Sequence, residues 1–390
     1  MRLNKKGVQP MGNIKQRGEV SLFVVIFATL LITVVTVSFV RIMMQSQQQA
    51  SANDLSQSAF DSAQAGVEDA KRAILQYQSV CNSGGDCVAA KSVINSPTCN
   101  RAVEALDGVS QTNNEIKIQT GATGNALNQA YTCVKIDMLT EDYIGELGQD
   151  SSKIIPLIGT GNFDSIKLEW FSSDNLQGSG TKVDVPKFAG GVPLLNQSIW
   201  TSPTSPNRPS IMRTQLIQFD SSGFSLTDFE GSTGTTSGSN NTLFLYPSDM
   251  IVSPSFINDT RKKAKSGPVP VKCVENLDTG GFACSATMPL PAAVNGNNHI
   301  TYLNLKSIYK KSSYRVTLLG GGSTIKFDGV QPSIDSTGRA NDMFRRVQSR
   351  VEMTDVNFPY PEAEINITGS LCKDFLVTDS ADQYSPNCAL

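Results

Sequence analysis

Val20-Ser-Leu-Phe-Val-Val-Ile-Phe-Ala-Thr-Leu-Leu-Ile-Thr-Val-Val-Thr-Val-Ser-Phe-Val40 contains no charged residue. As a helix it covers about 30 Å, the thickness of bilayer hydrocarbon. Its only polar side-chain atoms are Ser and Thr hydroxyls, which can bond back to the helix's own carbonyls. The stretch therefore predicts a membrane span, and its flanks orient it. Residues 1–18 carry Arg2, Lys5, Lys6, Lys15 and Arg17 and no acid, whereas beyond Arg41 the next cation is Lys71. By the positive-inside rule the N-terminus stays cytoplasmic and the chain beyond about residue 41 is translocated. A cleaved secretory signal has a shorter apolar core and a small-residue cut site; a plain signal anchor is the other reading that the physics alone leaves open.

Composition agrees with an extracytoplasmic body. The chain has 390 residues, a formal charge of -2 and only 17% charged residues. No basic nucleic-acid face or acidic tail is indicated. The eight cysteines, at 81, 87, 99, 133, 273, 284, 372 and 388, all lie beyond the span. An even set on one side of a membrane predicts disulfides in an oxidising compartment. Zinc is the competing reading, but no Cys-x-x-Cys occurs and His299 is the sole histidine, a poor ligand inventory. Eight cysteines allow about 105 pairings, among which spacing cannot choose, although a local Cys81–Cys87 bridge fits the turn-forming Asn82-Ser83-Gly84-Gly85-Asp86 between them.

The junction Lys15-Gln16-Arg17-Gly18-Glu19, running directly into the apolar stretch, resembles the leader of type IV prepilins and pseudopilins. The resemblance implies a cut after Gly18 by a prepilin peptidase, methylation of the new terminus, and a mature chain starting at Glu19, with Lys15 and Arg17 as the leader's basic residues. Such a cut leaves the apolar helix intact, so that Phe23, Val24, Phe27, Leu30 and Leu31 can pass from membrane into a packed fibre. Major pilins carry a glutamate as the fifth mature residue; here that position is Phe23 and the acid is Glu19. The departure resembles PilX-type minor pilins and the K-type minor pseudopilins.

Helical periodicity continues beyond the span. From Gln45 to Gln78 there is no proline and only Gly66 among glycines, and Leu55, Ala59, Ala63, Val67, Ala70, Ile74 and Tyr77 recur at steps of three and four. This is the stripe of a helix docking a head. Joined to the span it predicts a rod of about 90 Å. The segment Ala59-Phe60-Asp61-Ser62-Ala63-Gln64-Ala65-Gly66-Val67-Glu68 resembles the PilX-type pattern of an aromatic followed by small residues, with Gln64 where an acid is usual.

Strand signals follow at Glu115–Gln119, Tyr131–Met138, Ser165–Phe171, Met212–Phe219, Thr242–Tyr246, Thr301–Leu305, Tyr314–Leu319, Thr324–Asp328, Arg346–Met353 and Glu364–Thr368. No helix–strand alternation appears, which argues against a doubly wound parallel sheet. The expected fold is α+β: a leader at 1–18, a transmembrane and assembly helix at 19–41, its amphipathic continuation at 42–79, and an antiparallel, disulfide-containing β head at 80–390. Breaker-rich stretches, including Met288–Asn297, read as loops, and two lobes with a boundary near 202–240 fit the Pro, Gly and Ser content there. Ile334–Arg339 reads as a tight turn feeding an arginine-bearing strand, resembling the late strand of minor-pilin heads. Arg339, Arg345, Arg346 and Arg350 form either a solvated strand face or a binding patch, and Asp335 with Asp342 offers carboxylates without calcium-loop spacing.

No Gly-x-Ser-x-Gly elbow, phosphate loop, dinucleotide fingerprint or His-Glu-x-x-His occurs. The expectation is a non-catalytic, single-span bacterial membrane protein with no cofactor, small-molecule substrate or nucleic-acid partner. On the resemblance it is a minor pilin or pseudopilin, a subunit of a surface filament, whose partners are other pilins, the pilus assembly machinery and the prepilin peptidase. The alternative is a signal-anchored adhesin that never enters a filament. Adhesion, motility, DNA uptake and secretion remain open as the filament's job.

Overall fold

A computed structural model of the chain describes residues 18–104, 106–109, 111–118, 128–187, 197–220, 240–250, 253–256, 268–296 and 298–353. The leader with Lys15 and Arg17, the expected strand at Glu364–Thr368, Cys372 and Cys388 lie outside them, as do residues 221–239 of the expected lobe boundary.

The fold is α+β: one long N-terminal apolar helix and a large, mainly antiparallel β region. Helix α1 (Gly18–Asn82) is followed by α2 (Cys87–Ile94), β1 (Gln111–Thr112), β2 (Glu115–Lys117), β3 (Ala130–Thr140), β4 (Tyr143–Leu147), β5 (Ser152–Pro156) and β6 (Phe163–Ser172). A single helical turn, α3 (Gln197–Trp200), precedes β7 (Ile211–Asp220), β8 (Asn240–Ser248) and β9 (Val269–Lys272). The remaining strands are β10 (Phe282–Val294), β11 (His299–Ile308), β12 (Ser312–Gly320), β13 (Ser323–Ile325), β14 (Phe327–Ala340) and β15 (Met343–Arg350).

The chain divides into two compact units. The first comprises residues 1–82, 98–135 and 335–348, and the second residues 83–97, 136–334 and 349–390. The sheet ordered β1-β2-β3-β14-β15 supplies the first unit with β1, β2, the first part of β3, the last part of β14 and most of β15. In that unit α1 lays Ala59, Ala63, Val67, Ala70 and Ile74 inward, while Val103, Ile116, Tyr131 and Val134 are buried too.

The second unit is built on the sheet β10-β6-β12-β13, with β4 also paired to β12, and on the sheet β5-β11-β7-β8-β9. A single apolar cluster holds Leu168, Trp170, Val316 and Leu318 of the one sheet together with Leu216, Leu243, Leu303 and Leu305 of the other. Tyr314, Val316 and Leu318 are buried while Arg315 and Thr317 are half-exposed, the period-two pattern of a strand with one face in a core. Asp86 caps α2, its Oδ1 accepting from Ala89 N at 2.9 Å, and Lys91 on α2 pairs with Asp328 at 2.6 Å.

Four details differ from the sequence reading. Helix α2 lies within residues 80–390, where a β head was expected. Met288 and Pro289, expected in a loop, belong to β10, an edge strand of its sheet that shifts register between Pro289 and Val294. Proline is tolerated there because an edge strand need not donate every amide. Ile334–Arg339 is not a turn: it lies inside β14, and the reversal comes at Asn341 (φ 48°). Finally, β8 and β9 pair in parallel, Leu245 opposite Val269, within an otherwise antiparallel sheet.

Candidate assembly helix and its seat

α1 runs unbroken for 65 residues, about 98 Å at helical rise. Its two halves obey different solvents. From Leu22 to Met44 every large apolar side chain is exposed, including Phe23 at 75% and Phe27, Leu30 and Leu31 beside Val24. The hydroxyls of this half are spent locally: Thr29 Oγ1 donates to the Ile26 carbonyl at 2.9 Å, Thr33 Oγ1 to Leu30 at 2.8 Å and Ser38 Oγ to Val34 at 2.8 Å. A surface so apolar and so self-satisfied suits lipid or a packed helix, not water. Among the described residues this is the helix long and apolar enough to cross a membrane. Gly18 opens it and Glu19 lies in its first turn.

In the second half the stripe meets a sheet. Ala59, Ala63 and Ala70 are fully buried, Val67 and Ile74 nearly so, and Leu55 and Tyr77 half-buried. What seats the helix is the absence of side chains. A Cβ added at Gly338, in β14, would lie 2.1 Å from Ala63 N and 2.2 Å from Ala59 O. One added at Gly66 would lie 2.4 Å from Ser336 Oγ and 2.7 Å from Val134 Cγ2. Helix backbone and strand backbone thus touch, and only glycine permits that approach.

Polar contacts border this seat. Tyr131 donates from its hydroxyl to Asp69 Oδ2 at 2.7 Å. Burial, then the Asp69 hydrogen bond and charge, push the Tyr131 phenol well above its ordinary range. Arg72 bonds Asp69 at 2.9 Å and the Asp107 carbonyl at 3.1 Å. Arg345 Nε donates to Ser56 Oγ at 2.8 Å.

The four arginines do not form an open patch. Arg339 forks onto Glu115 (Nε–Oε1 3.0 Å, Nη2–Oε2 2.5 Å), Arg346 onto Asp335 (Nε–Oδ1 2.7 Å), and Arg350 bonds Asp142 at 3.0 Å. Asp335, one of the two carboxylates noted beside a calcium option, spends both oxygens on Arg346. Among the cysteines, Cys99 bonds Cys133 and Cys273 bonds Cys284, while Cys81 and Cys87 are also disulfide-bonded.

Of the stripe residues named from periodicity, Ala59, Ala63, Val67, Ala70 and Ile74 are buried and Leu55 and Tyr77 half-buried. Gly66, Ser62, Tyr131, Ser336 and Gly338 were missed as its members. Gly338 had a signal, since an isolated glycine in a strand marks a bulge or a close backbone approach, but reading 334–339 as a turn concealed it. No family model matches the chain, and no curated protein or solved structure matches it significantly.

Proposed function

We propose that the chain is a minor type IV pilin or pseudopilin: a filament subunit cut after Gly18, held in the cytoplasmic membrane by Val20–Val40, and drawn into a fibre by that same helix. The observation that carries this reading is the asymmetry of α1. One uninterrupted helix presents bare apolar side chains over Leu22–Met44 and a buried, glycine-seated face over Ala59–Ile74. A lipid anchor alone needs only a span and a linker. A continuation seated on the sheet of the first unit couples the first half to that unit, which filament packing requires. The N-terminal sequence Lys15–Glu19, which resembles a prepilin leader junction, is the cleavage site of the reading.

On this proposal the N-terminus is cytoplasmic and the head extracytoplasmic. The partners are other pilins, the assembly machinery and the peptidase, and the chain binds no cofactor and catalyses no reaction. Phe23, standing where bulk subunits carry a glutamate, favours a position at low copy number over the filament shaft. The same residue favours the second reading, a signal-anchored surface protein that never polymerises. Intact-mass measurement separates the two. A mature chain beginning at methylated Glu19, reverting to the full precursor when the prepilin peptidase is deleted, supports the filament reading. A retained Met1, or a cut beyond Val40, refutes it.

A further inference from the structure

The first unit carries a cleft beside α1 that neither the apolar span nor the glycine seat uses. Its volume is about 510 Å³, and among the described residues it is lined by Leu55, Asn128, Arg339, Asn341, Asp342 and Met343. Leu55 comes from α1 at the start of its buried stripe, Arg339 from the end of β14 and Met343 from the start of β15. Asn341 and Asp342 form the reversal between those strands, and Asn128 enters from the chain just before β3.

The reversal is pinned by its own arginine. Arg339 forks onto Glu115 of β2 through Nε and Nη2 and donates Nη1 to the Asn341 carbonyl at 3.0 Å. All three guanidinium nitrogens are thereby spent and the charge is matched by Glu115, so Arg339 shapes the wall without being available to a ligand. Asn341 at φ 48° and Asn128 at φ 47° stand in the left-handed region, which asparagine tolerates.

What the cleft leaves uncommitted is a set of oxygen acceptors. Asn128, Asn341 and Asp342 are exposed, and among the described residues the Asp342 carboxylate and both side-chain amides make no hydrogen bond or ion pair. Asp54, next to Leu55 on α1, is likewise exposed and without a partner among them. Of the nearby cations, Arg346 is matched by Asp335, and Arg345 spends Nε on Ser56 Oγ at 2.8 Å. Asp54 and Asp342 against Arg345 leave one negative charge in excess. Leu55 and Met343 are half-buried and give the cleft an aliphatic wall. A carboxylate flanked by amide oxygens and an aliphatic wall suits an ammonium on an alkyl stem, whose head takes charge-assisted bonds while its methylenes lie along apolar surface.

We propose that this cleft is a recognition site for a primary alkylammonium, the group shared by a lysine side chain of another protein and a free polyamine. Asp342 takes the ammonium, the amide oxygens of Asn128 and Asn341 complete its hydrogen bonds, and Leu55 and Met343 line the stem. The proposal stands whether or not the chain enters a filament.

The test titrates the full-length protein in detergent with n-butylammonium, methylammonium, Nα-acetyl-lysine N-methylamide and putrescine in separate arms, at ionic strength held constant with sodium chloride, and follows binding by calorimetry. Asp342→Asn is compared with wild type; the residue is exposed in a turn, so folding is preserved. The expected result is saturable binding of n-butylammonium and of the lysine derivative, weakened about fivefold or more in Asp342→Asn through loss of charge-assisted bonds. Methylammonium, which lacks the stem, is expected to bind about tenfold or more weakly than n-butylammonium. Tighter binding of the lysine derivative than of putrescine assigns the site to a protein lysine, and the reverse order assigns it to a free polyamine. Absence of saturable binding in every arm overturns the proposal, as does unchanged affinity in Asp342→Asn. Equal affinity for methylammonium and n-butylammonium overturns the role of Leu55 and Met343.

Discussion

Gly338→Ala tests how α1 is seated. The added methyl would stand 2.1 Å from Ala63 N, 2.2 Å from Ala59 O and 2.7 Å from the Ser62 carbonyl carbon. All three are backbone atoms of the helix, so no side-chain rotation relieves the clash. The helix must back away by about 1 Å to restore ordinary contact. Such a gap forfeits a quarter to a half of the dispersion energy of each atom pair it opens. That loss spreads over Ala59, Ala63, Val67 and their partners on the sheet. Overpacking of this kind costs about 1–3 kcal/mol, and a rigid obstacle puts it near the upper end. Gly66→Ala is the internal comparison. Its methyl meets Ser336 Oγ at 2.4 Å, Val134 Cγ2 at 2.7 Å and Tyr131 Cγ at 3.2 Å; the Ser336 hydroxyl can turn, the buried Val134 and Tyr131 cannot, and alanine's better helix propensity offsets part of the strain, so its net cost is about 1 kcal/mol. Hydrogen exchange read by mass spectrometry on the full-length protein resolves the effect locally. Peptides covering residues 59–74 are expected to exchange on the order of 100-fold faster in Gly338→Ala, against about fivefold in Gly66→Ala, with the strands of the second unit unaffected. Exchange within threefold of wild type for Gly338→Ala, or the reverse order of the two variants, would refute the backbone-contact argument.

Replacing both Cys99 and Cys133 by Ala opens a link of sequence separation 34; the chain-entropy account puts the loss at about 3–4 kcal/mol, measurable as accelerated exchange in the 98–109 segment. Asn100 is buried at φ 64° and bonds the Asn114 carbonyl at 3.0 Å and Val134 N at 2.9 Å, so Asn100→Ala loses both the bonds and a residue suited to that conformation. A destabilisation of about 2–4 kcal/mol is expected by urea titration, and a value below 1 kcal/mol would contradict the assignment. Tyr131, Tyr143 and Tyr314 all have phenols raised above their ordinary value of 10.0, in each case first by burial. Their stabilisation is complete below that value. As pH rises past it the unfolded chain sheds protons that the folded one keeps, and stability falls with pH. Tyr131→Phe is expected to flatten this alkaline decline in exchange measurements on α1 between pH 9 and 11 (about the accessible range), and an unchanged slope would show that the Tyr131 phenol is not held neutral.

The long helix was legible because its signals are local. Charge before the apolar run, its length, and the three-and-four recurrence of Leu55 to Ile74 each depend on neighbours within a few residues, and the α+β class followed from strand periodicity at the same range. Several strands were legible for the same reason: Tyr314, Val316 and Leu318 alternate against polar neighbours, and a strand with one buried face prints that alternation directly. The interior of β14 was not legible, because Asp335-Ser336-Thr337-Gly338 has turn composition and becomes a strand only when α1 lies on it. β10 was hidden by Pro289 and Pro291, whose tolerance depends on standing at a sheet edge, a property of strand order and not of local sequence.

The sequence by itself determined the long apolar helix, its amphipathic continuation and an even cysteine set lying beyond the apolar run. Only the tertiary structure decided that Cys99 meets Cys133 and Cys273 meets Cys284, that each arginine of β14 and β15 has its own partner, and that Gly338 touches the backbone of Ala59 and Ala63. The physical reason is one of range. Periodicity and charge asymmetry act between residues close in the chain, whereas a backbone contact across more than 270 positions exists only after distant segments have been brought together, and nothing in either segment alone specifies its partner.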